Sequence, residues 1–291
     1  MVFMAKIYAQ RAGKPPEVAQ ALEDMEAPRS AGKSLPVTQA GAILSIADRL
    51  DQLVAMTALG ITSTGSSDLF GVRRTASGLV DILRVLPQKY DLNPIDIRVA
   101  VGKVVDIMQG YIMEHRGISN VILDGVEDSI VDLILGRWRH RISDSQSRTL
   151  SMDTASLQNI VYAAQKTVLS EADKTFSQLC QIRQKSQFLE IVQCLKRIDR
   201  ICKNFYFERN DAPLKSVHEQ NLINTFEAIR QTNRTDLEGF YRAAKNLPEA
   251  VNNFFDNTLV MTPEEEIRTA RLGLLCAIRS YSWKYAAWDY I

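Results

Sequence analysis

SQFLEIVQCLKRIDRICKNF, residues 186–205, decides the fold class. Its apolar positions Phe188, Ile191, Val192, Leu195, Ile198, Ile201, Cys202 and Phe205 recur at separations of three and four, the period of one helix face. Lys196, Arg197, Arg200 and Lys203 fall on the opposite face. A half-buried strand would alternate instead, and no convincing period-two run occurs anywhere in the chain.

The same period extends outward in both directions. Upstream, Ile43, Ile46, Ala47, Leu50, Leu53 and Val54 predict a helix over 38–59, and Ile97, Val101, Val104, Val105, Met108 and Ile112 another over 95–113. Asp68 is a candidate N-cap for a helix over 69–86, and further helices are expected over 119–141, 157–169 and 171–182. Pro15-Pro16 opens a short helix near the start, after a first one ending near Gly13. Downstream, helices are expected near 215–231, 234–244 and 248–258. Pro263 followed by three glutamates reads as the start of a long last helix. Segments 27–36, 60–68 and 143–156 read as loops. Fourteen glycines and nine prolines in 291 residues are few turn-formers. The chain is therefore expected to be all-α and multi-helical.

Composition limits function. Hydrophobic residues at 46% and charged residues at 24% are those of an ordinary globular protein, and no apolar run is long enough to span a membrane. The net charge of +1 carries no whole-chain sign of nucleic-acid binding. Cys180, Cys194, Cys202 and Cys276 form no Cys-x-x-Cys pair, and His115, His140 and His218 lie far from them in sequence. Reduced, mostly buried thiols in a cytoplasmic protein are expected rather than a metal site.

Nucleotide-binding and hydrolase motifs are absent. Thr64-Gly65-Ser66-Ser67-Asp68 before a helix could hold a phosphate on helix N-terminal amides, though a capped loop is the simpler reading. Asp48 and Asp51 share a helix face without a histidine partner, so a solvated or arginine-paired couple is expected. Arg137, Arg139 and Arg141 crowd the expected end of a helix, where cations suit the dipole or a phosphate. Over residues 181–209, seven basic side chains face three acidic ones, a local footprint suited to a phosphate backbone. The last helix carries Arg268, Arg271 and Arg279, and its aromatic end YSWKYAAWDYI suits either docking onto a core or partner subunit, or base stacking.

Three blocks carry a resemblance to a known family. Tyr8-Ala9 and Val18-Ala19 lead to Ala47-Asp48-Arg49-Leu50-Asp51; TGSSDLFGVRRTA spans 64–76; Phe254-Phe255-Asp256, Val260-Met261, Ile267-Arg268, Arg271-Leu272 and Leu274-Leu275 close the chain. In order and spacing these resemble the β subunit of bacterial-type glycyl-tRNA synthetase. That family's subunit is more than twice as long, so the chain looks like its C-terminal part. The resemblance implies a partial HD-like helical domain over 1–94, a helical body over 95–156, and a DALR-like anticodon-binding helical domain over 157–291. It implies a role in ATP-dependent attachment of glycine to tRNA-Gly, with the active site, ATP and Mg on the partner α subunit. No catalytic residue, metal or cofactor is then expected on this chain. The partners implied are tRNA-Gly and that α subunit, with no membrane and no DNA. Arg137, Arg139, Lys196, Arg197, Arg200, Lys203, Arg268 and Arg271 are the candidate tRNA-binding residues, and Arg73 and Arg74 are expected in interior ion pairs. Two other readings remain: a degenerate paralogue that binds only proteins, and an HD-superfamily hydrolase, which the missing histidines disfavour.

Overall fold

A computed structural model of the chain describes residues 2–30, 32–61, 68, 70–115, 121–146, 161, 167–232 and 235–288. Among the described residues the fold is all-α. No strand forms among them, and the one β-type pairing they show is a bridge between Asp96 and Val168. The chain divides into two compact units, Met1–Thr149 with Lys166–Asp173, and Leu150–Gln165 with Lys174–Ile291.

The first unit contains α1 (Val2–Arg11), α2 (Pro16–Asp24), α3 (Gln39–Ala58), α4 (Val72–Leu83), α5 (Leu86–Tyr90), α6 (Ile97–Glu114) and α7 (Val126–Gln146). Helix α3 is central and touches α2, α4, α6 and α7. Its stripe Ile46, Leu50, Leu53 and Val54 is buried, while Ile43 at the edge of that stripe stays exposed.

Two polar side chains lock α3 to what precedes it. Asp24, at the end of α2, accepts hydrogen bonds from the Val37 amide (3.0 Å), the Thr38 amide (2.8 Å) and the Thr38 hydroxyl (2.8 Å) on one oxygen. Its other oxygen accepts from Gln20 Nε2 at 3.0 Å. Thr38 Oγ1 in turn caps α3 by accepting from the Gly41 amide at 3.0 Å. Asp24 lies so close to α3 that only a glycine fits at position 41. Two helical turns further, Arg49 is buried. Its guanidinium donates to Ser45 Oγ (3.2 Å) and to the carbonyls of Glu26 (3.0 Å) and Pro28 (3.1 Å), tying the 25–36 loop to the helix. Gly78 of α4 gives that guanidinium its room, since a Cβ there would stand 3.0 Å from Arg49 Cζ.

Several expectations shift at the element ends. Helix α4 starts at Val72, after a left-handed Gly71 at φ 72°, rather than at Leu69. It ends at Leu83, and Pro87 then sits in the first turn of the separate α5. Helix α7 begins after Gly125, later than 119, and runs on to Gln146 through the start of the expected polar loop. The stripe on α6 is only partly buried: Ile97 and Val101 are covered, whereas the other expected positions are half-buried and Ile107, Tyr111 and Met113 are exposed. Most of the helix expected over 157–169 lies outside the described residues.

The helix α8 (Leu169–Ile182) contributes its first turn to the first unit. There Asp173 accepts from Arg84 Nε at 2.6 Å and from the indole of the fully buried Trp138 at 2.8 Å, joining the end of α4 to α7.

The second unit holds the rest of α8, then α9 (Phe188–Cys202), α10 (Val217–Gln231), α11 (Leu237–Ala243), a 3-10 turn (Ala244–Asn246), α12 (Leu247–Asn257) and α13 (Glu265–Trp283). The α9 stripe is buried as expected at Phe188, Ile191, Val192, Leu195, Ile198 and Cys202, against α12 and α13. Glu264 is the N-cap residue of α13, so Pro263 stands just outside the helix and Glu265 and Glu266 fill its first turn. The aromatic tail docks on its own unit: Tyr285 stacks on Phe240 at 4.6 Å, and the buried Trp288 indole donates to the Ser282 carbonyl at 2.9 Å.

Two stability predictions follow from the α3 locks. Arg49→Met strands the buried Pro28 carbonyl and takes a donor from that of Glu26, and should cost about 2–3 kcal/mol. A lower urea midpoint with an unchanged m-value is the expected reading. For Asp24, burial pushes the carboxyl up, but the hydrogen bonds from Thr38, Gln20 and Val37 outweigh it and leave the group below its ordinary value of 3.8. A depressed folded value means the stabilisation is present above that ordinary value and is lost as pH falls through it toward the lower folded value. Asp24→Asn should therefore flatten the acid limb of a urea-midpoint profile below about pH 4.

Candidate nucleic-acid interface

The candidate cations are best judged by what each already touches. On α9, Arg200 is exposed, and Lys203, one turn on, is exposed at the helix end. Neither makes an ion pair or hydrogen bond among the described residues. Their neighbours on the same face differ. Lys196 is half-buried and engaged, and Arg197 lies over the Phe255 ring of α12 at 4.2 Å with its Nη1 donating to Asn252 Oδ1 at 3.3 Å. A cavity of about 510 Å³ opens beside Arg197, lined also by Glu190, Glu249 and Cys194. Two carboxylates at its walls make it a poor seat for an anion.

The arginines of α13 are held inside the unit. Arg271 Nε pairs with Glu219 Oε1 at 2.8 Å, with side chains 15% and 3% exposed, and its Nη1 donates to the Leu259 carbonyl at 2.8 Å. Glu219 Oε2 meanwhile accepts from the Ser216 amide at 2.8 Å, and Ser216 Oγ accepts from the Glu219 amide, which closes the capping box of α10. Burial pushes the Glu219 carboxyl up, but the Ser216 amide and Arg271 outweigh it and hold the group below its ordinary value. Arg268 is half-buried and donates to the Thr262 carbonyl at 3.2 Å. Arg279 Nε pairs with the buried Asp199 of α9 at 2.5 Å and stands over the Trp283 ring.

In the first unit, Arg137, Arg139 and Arg141 lie inside α7 rather than at its end, because the helix continues to Gln146. Arg141 makes a bidentate pair with Asp81, Nε to Oδ1 at 2.9 Å and Nη2 to Oδ2. Arg139 is exposed and engaged, and Arg137 is half-buried with its Nε lacking a hydrogen-bond partner among the described residues. Arg74 is not interior as expected. It is exposed, 3.5 Å from Asp68, while Arg73 is half-buried. The buried arginine of this region is Arg49, for which sequence supplied no sign. Asp48 and Asp51, on either side of it, are exposed.

Residues 62–67 of the proposed phosphate loop lie outside the described residues. Asp68 accepts from the Arg73 and Arg74 amides at 3.1 and 3.3 Å, so a carboxylate already occupies the first turn of α4. All four cysteines are free, three of them buried; burial pushes the Cys194 thiol up to about 12, which keeps it protonated and inert.

Sequence reasoning took Phe205 only as the end of the apolar stripe and passed over Tyr206-Phe207, directly after the basic helix end. Tyr206 is 88% exposed, and Phe207 is partly exposed with its ring stacked on Phe205 at 5.8 Å. The signal was present as three consecutive aromatics two residues beyond Lys203.

A sequence model of the glycyl-tRNA synthetase beta subunit matches residues 3–157. A glycine–tRNA ligase beta subunit from Thermodesulfovibrio yellowstonii is 29% identical over 278 residues, covering 94% of this chain and 37% of its own length. The beta subunit from Streptococcus gordonii is 26% identical over 294 residues, with 99% and 39% covered. The chloroplastic/mitochondrial glycine–tRNA ligase 2 of Arabidopsis thaliana is 29% identical over 289 residues, with 94% and 24% covered. The chain thus spans about two fifths or less of the length of these curated relatives.

The buried Arg271–Glu219 pair separates structural from ligand-facing arginines. Glu219→Gln removes the buried charge opposite a half-buried guanidinium and should destabilise the chain by about 2 kcal/mol. The loss, read by urea denaturation at neutral pH, should barely change with added salt because the pair is screened little by solvent ions.

Proposed function

Because the chain belongs to the glycyl-tRNA synthetase β-subunit family, we propose that it is a tRNA-binding part of such a subunit, supporting the ATP-dependent attachment of glycine to tRNA-Gly. The observation that carries this reading is the unpaired, exposed couple Arg200 and Lys203 in a unit whose other candidate arginines already have partners. Two free cations one helical turn apart suit successive phosphates, with Lys196 and Arg197 beside them as secondary contacts. Arg268 and Arg271 act in this reading by shaping the helical unit, and Arg137 and Arg139 form a second, weaker basic patch on the first unit. The proposed organisation keeps the partial HD-like domain over 1–94, the helical body over 95–156 and the DALR-like anticodon-binding domain over 157–291.

The chemistry of aminoacylation, with its ATP and Mg, is assigned to the partner α subunit, and this chain is assigned no catalytic residue. That subunit is the second proposed partner, in keeping with the beta-subunit names of the relatives. A reducing, cytoplasmic setting is proposed on the strength of four free thiols. Among the described residues no helix is long and apolar enough to cross a membrane.

A filter-binding titration of tRNA-Gly against an unrelated tRNA, across a salt series, tests the reading. We expect preference for tRNA-Gly and a log affinity that falls linearly with log salt. The double variant Arg200→Glu, Lys203→Glu should lose at least about tenfold in affinity and make that slope shallower by about one to two. Unchanged affinity in the double variant sinks the assigned footprint. Binding of the α subunit without any binding of tRNA would instead favour the protein-interaction paralogue.

A further inference from the structure

The segment that follows α9 is built as a presented surface rather than as a connection. After Cys202 the chain turns, with the Phe205 amide donating to the Cys202 carbonyl at 3.0 Å, and is laid across α13. The crossing is close: Gly273 has no room for a side chain beneath the Glu208 carbonyl, and Cys276 Sγ donates to the Phe205 carbonyl at 3.5 Å. At its far end Arg209 is clamped. Its Nε sits 3.0 and 2.9 Å from the two Asp211 oxygens, its Nη1 reaches Glu227, and its guanidinium covers the Phe226 ring at 5.2 Å. The segment is thus pinned at both ends while its middle faces outward. Tyr206 is 88% exposed, and Phe207 lies nearly parallel to Phe205 at an interplanar angle of 20°. A cavity of about 380 Å³ lies between these aromatics and α13.

An aromatic ring held almost wholly in water on a pinned backbone contributes little to its own fold. It does offer a large flat face at low ordering cost to a ligand. The charges beside it select the ligand. Arg200 and Lys203, neither of which has a partner among the described residues, lie on the turn of helix that leads directly into the segment. Arg279, whose side chain lines the cavity, is neutralised by Asp199. Glu208 is the exposed carboxylate of the segment, so attraction for an anion comes from the α9 side. Flat aromatic faces reached from a free cationic edge are what an unpaired nucleotide requires: the base stacks, and its phosphates lie along the cations.

We propose that Phe205–Arg209 is a stacking platform for an unpaired RNA base, with Tyr206 as the ring that takes the base and Arg200 and Lys203 holding the adjoining phosphates. The proposal rests on the tRNA-binding reading and adds to it where a single-stranded part of the RNA lies.

Fluorescence anisotropy with the full chain tests it, using a labelled tRNA-Gly transcript and labelled oligouridine and oligoadenosine. Tyr206→Ala should weaken all three by about tenfold without changing the salt slope, because stacking releases no counterions. Tyr206→Trp should restore the affinity, and its indole fluorescence should be quenched on addition of oligoadenosine. A matching urea midpoint for each variant separates binding loss from misfolding. If the wild-type chain binds no RNA, the functional reading itself fails. If it binds and Tyr206→Ala binds equally well, the platform alone is overturned. A Tyr206→Phe variant as weak as the alanine variant also overturns stacking, since the ring would then be present and idle.

Discussion

Glu219 joins two obligations in one carboxylate. One oxygen completes the capping box of α10 with Ser216, and the other holds Arg271 of α13 in a nearly dry pair. A helix start leaves amides without partners, and a guanidinium largely withdrawn from water needs an anion; one side chain meets both needs. Arg271 then reaches the Leu259 carbonyl and fixes the turn into α13. Since the 205–209 segment is laid on α13, and α9 is pinned to α13 through Asp199 and Arg279, the exposed aromatics and free cations depend on that helix being held where it is.

The first unit solves the same problem with different residues. Asp24 gathers the amides before α3, and Arg49 gathers the carbonyls of the loop that precedes it. Both are buried polar side chains that satisfy backbone groups rather than each other. Glycines 41 and 78 let these side chains lie flat against the helices. The short motif containing Arg49 therefore carries a packing role, with its two flanking aspartates left to solvent.

Sorting the arginines by partner changes the picture of charge. A net charge of +1 hides a division between cations consumed by the fold and cations left over. Arg141, Arg209, Arg271 and Arg279 belong to the first group, each facing a carboxylate. Arg200 and Lys203 belong to the second. Only the second group can release counterions to a polyanion at no cost to the fold.

The periodicity of 186–205 was enough to establish an all-α chain and to place α9, because a helix face depends only on spacing along one chain. The family blocks were legible for the same reason, as runs of particular residues in order. Boundaries were less so: Asp68 does serve the amides of α4, but the helix waits for the left-handed Gly71, a backbone choice that spacing does not encode. The fate of each cation was not legible either. Arg197 and Arg200 share the same outward face of α9 in sequence, yet α12 brings Phe255 under the first and leaves the second exposed. Sequence determined which residues ride on each helix. Only the crossing of helices decided which of those residues meet a partner and which stay open to a ligand, because that depends on neighbours distant in the chain.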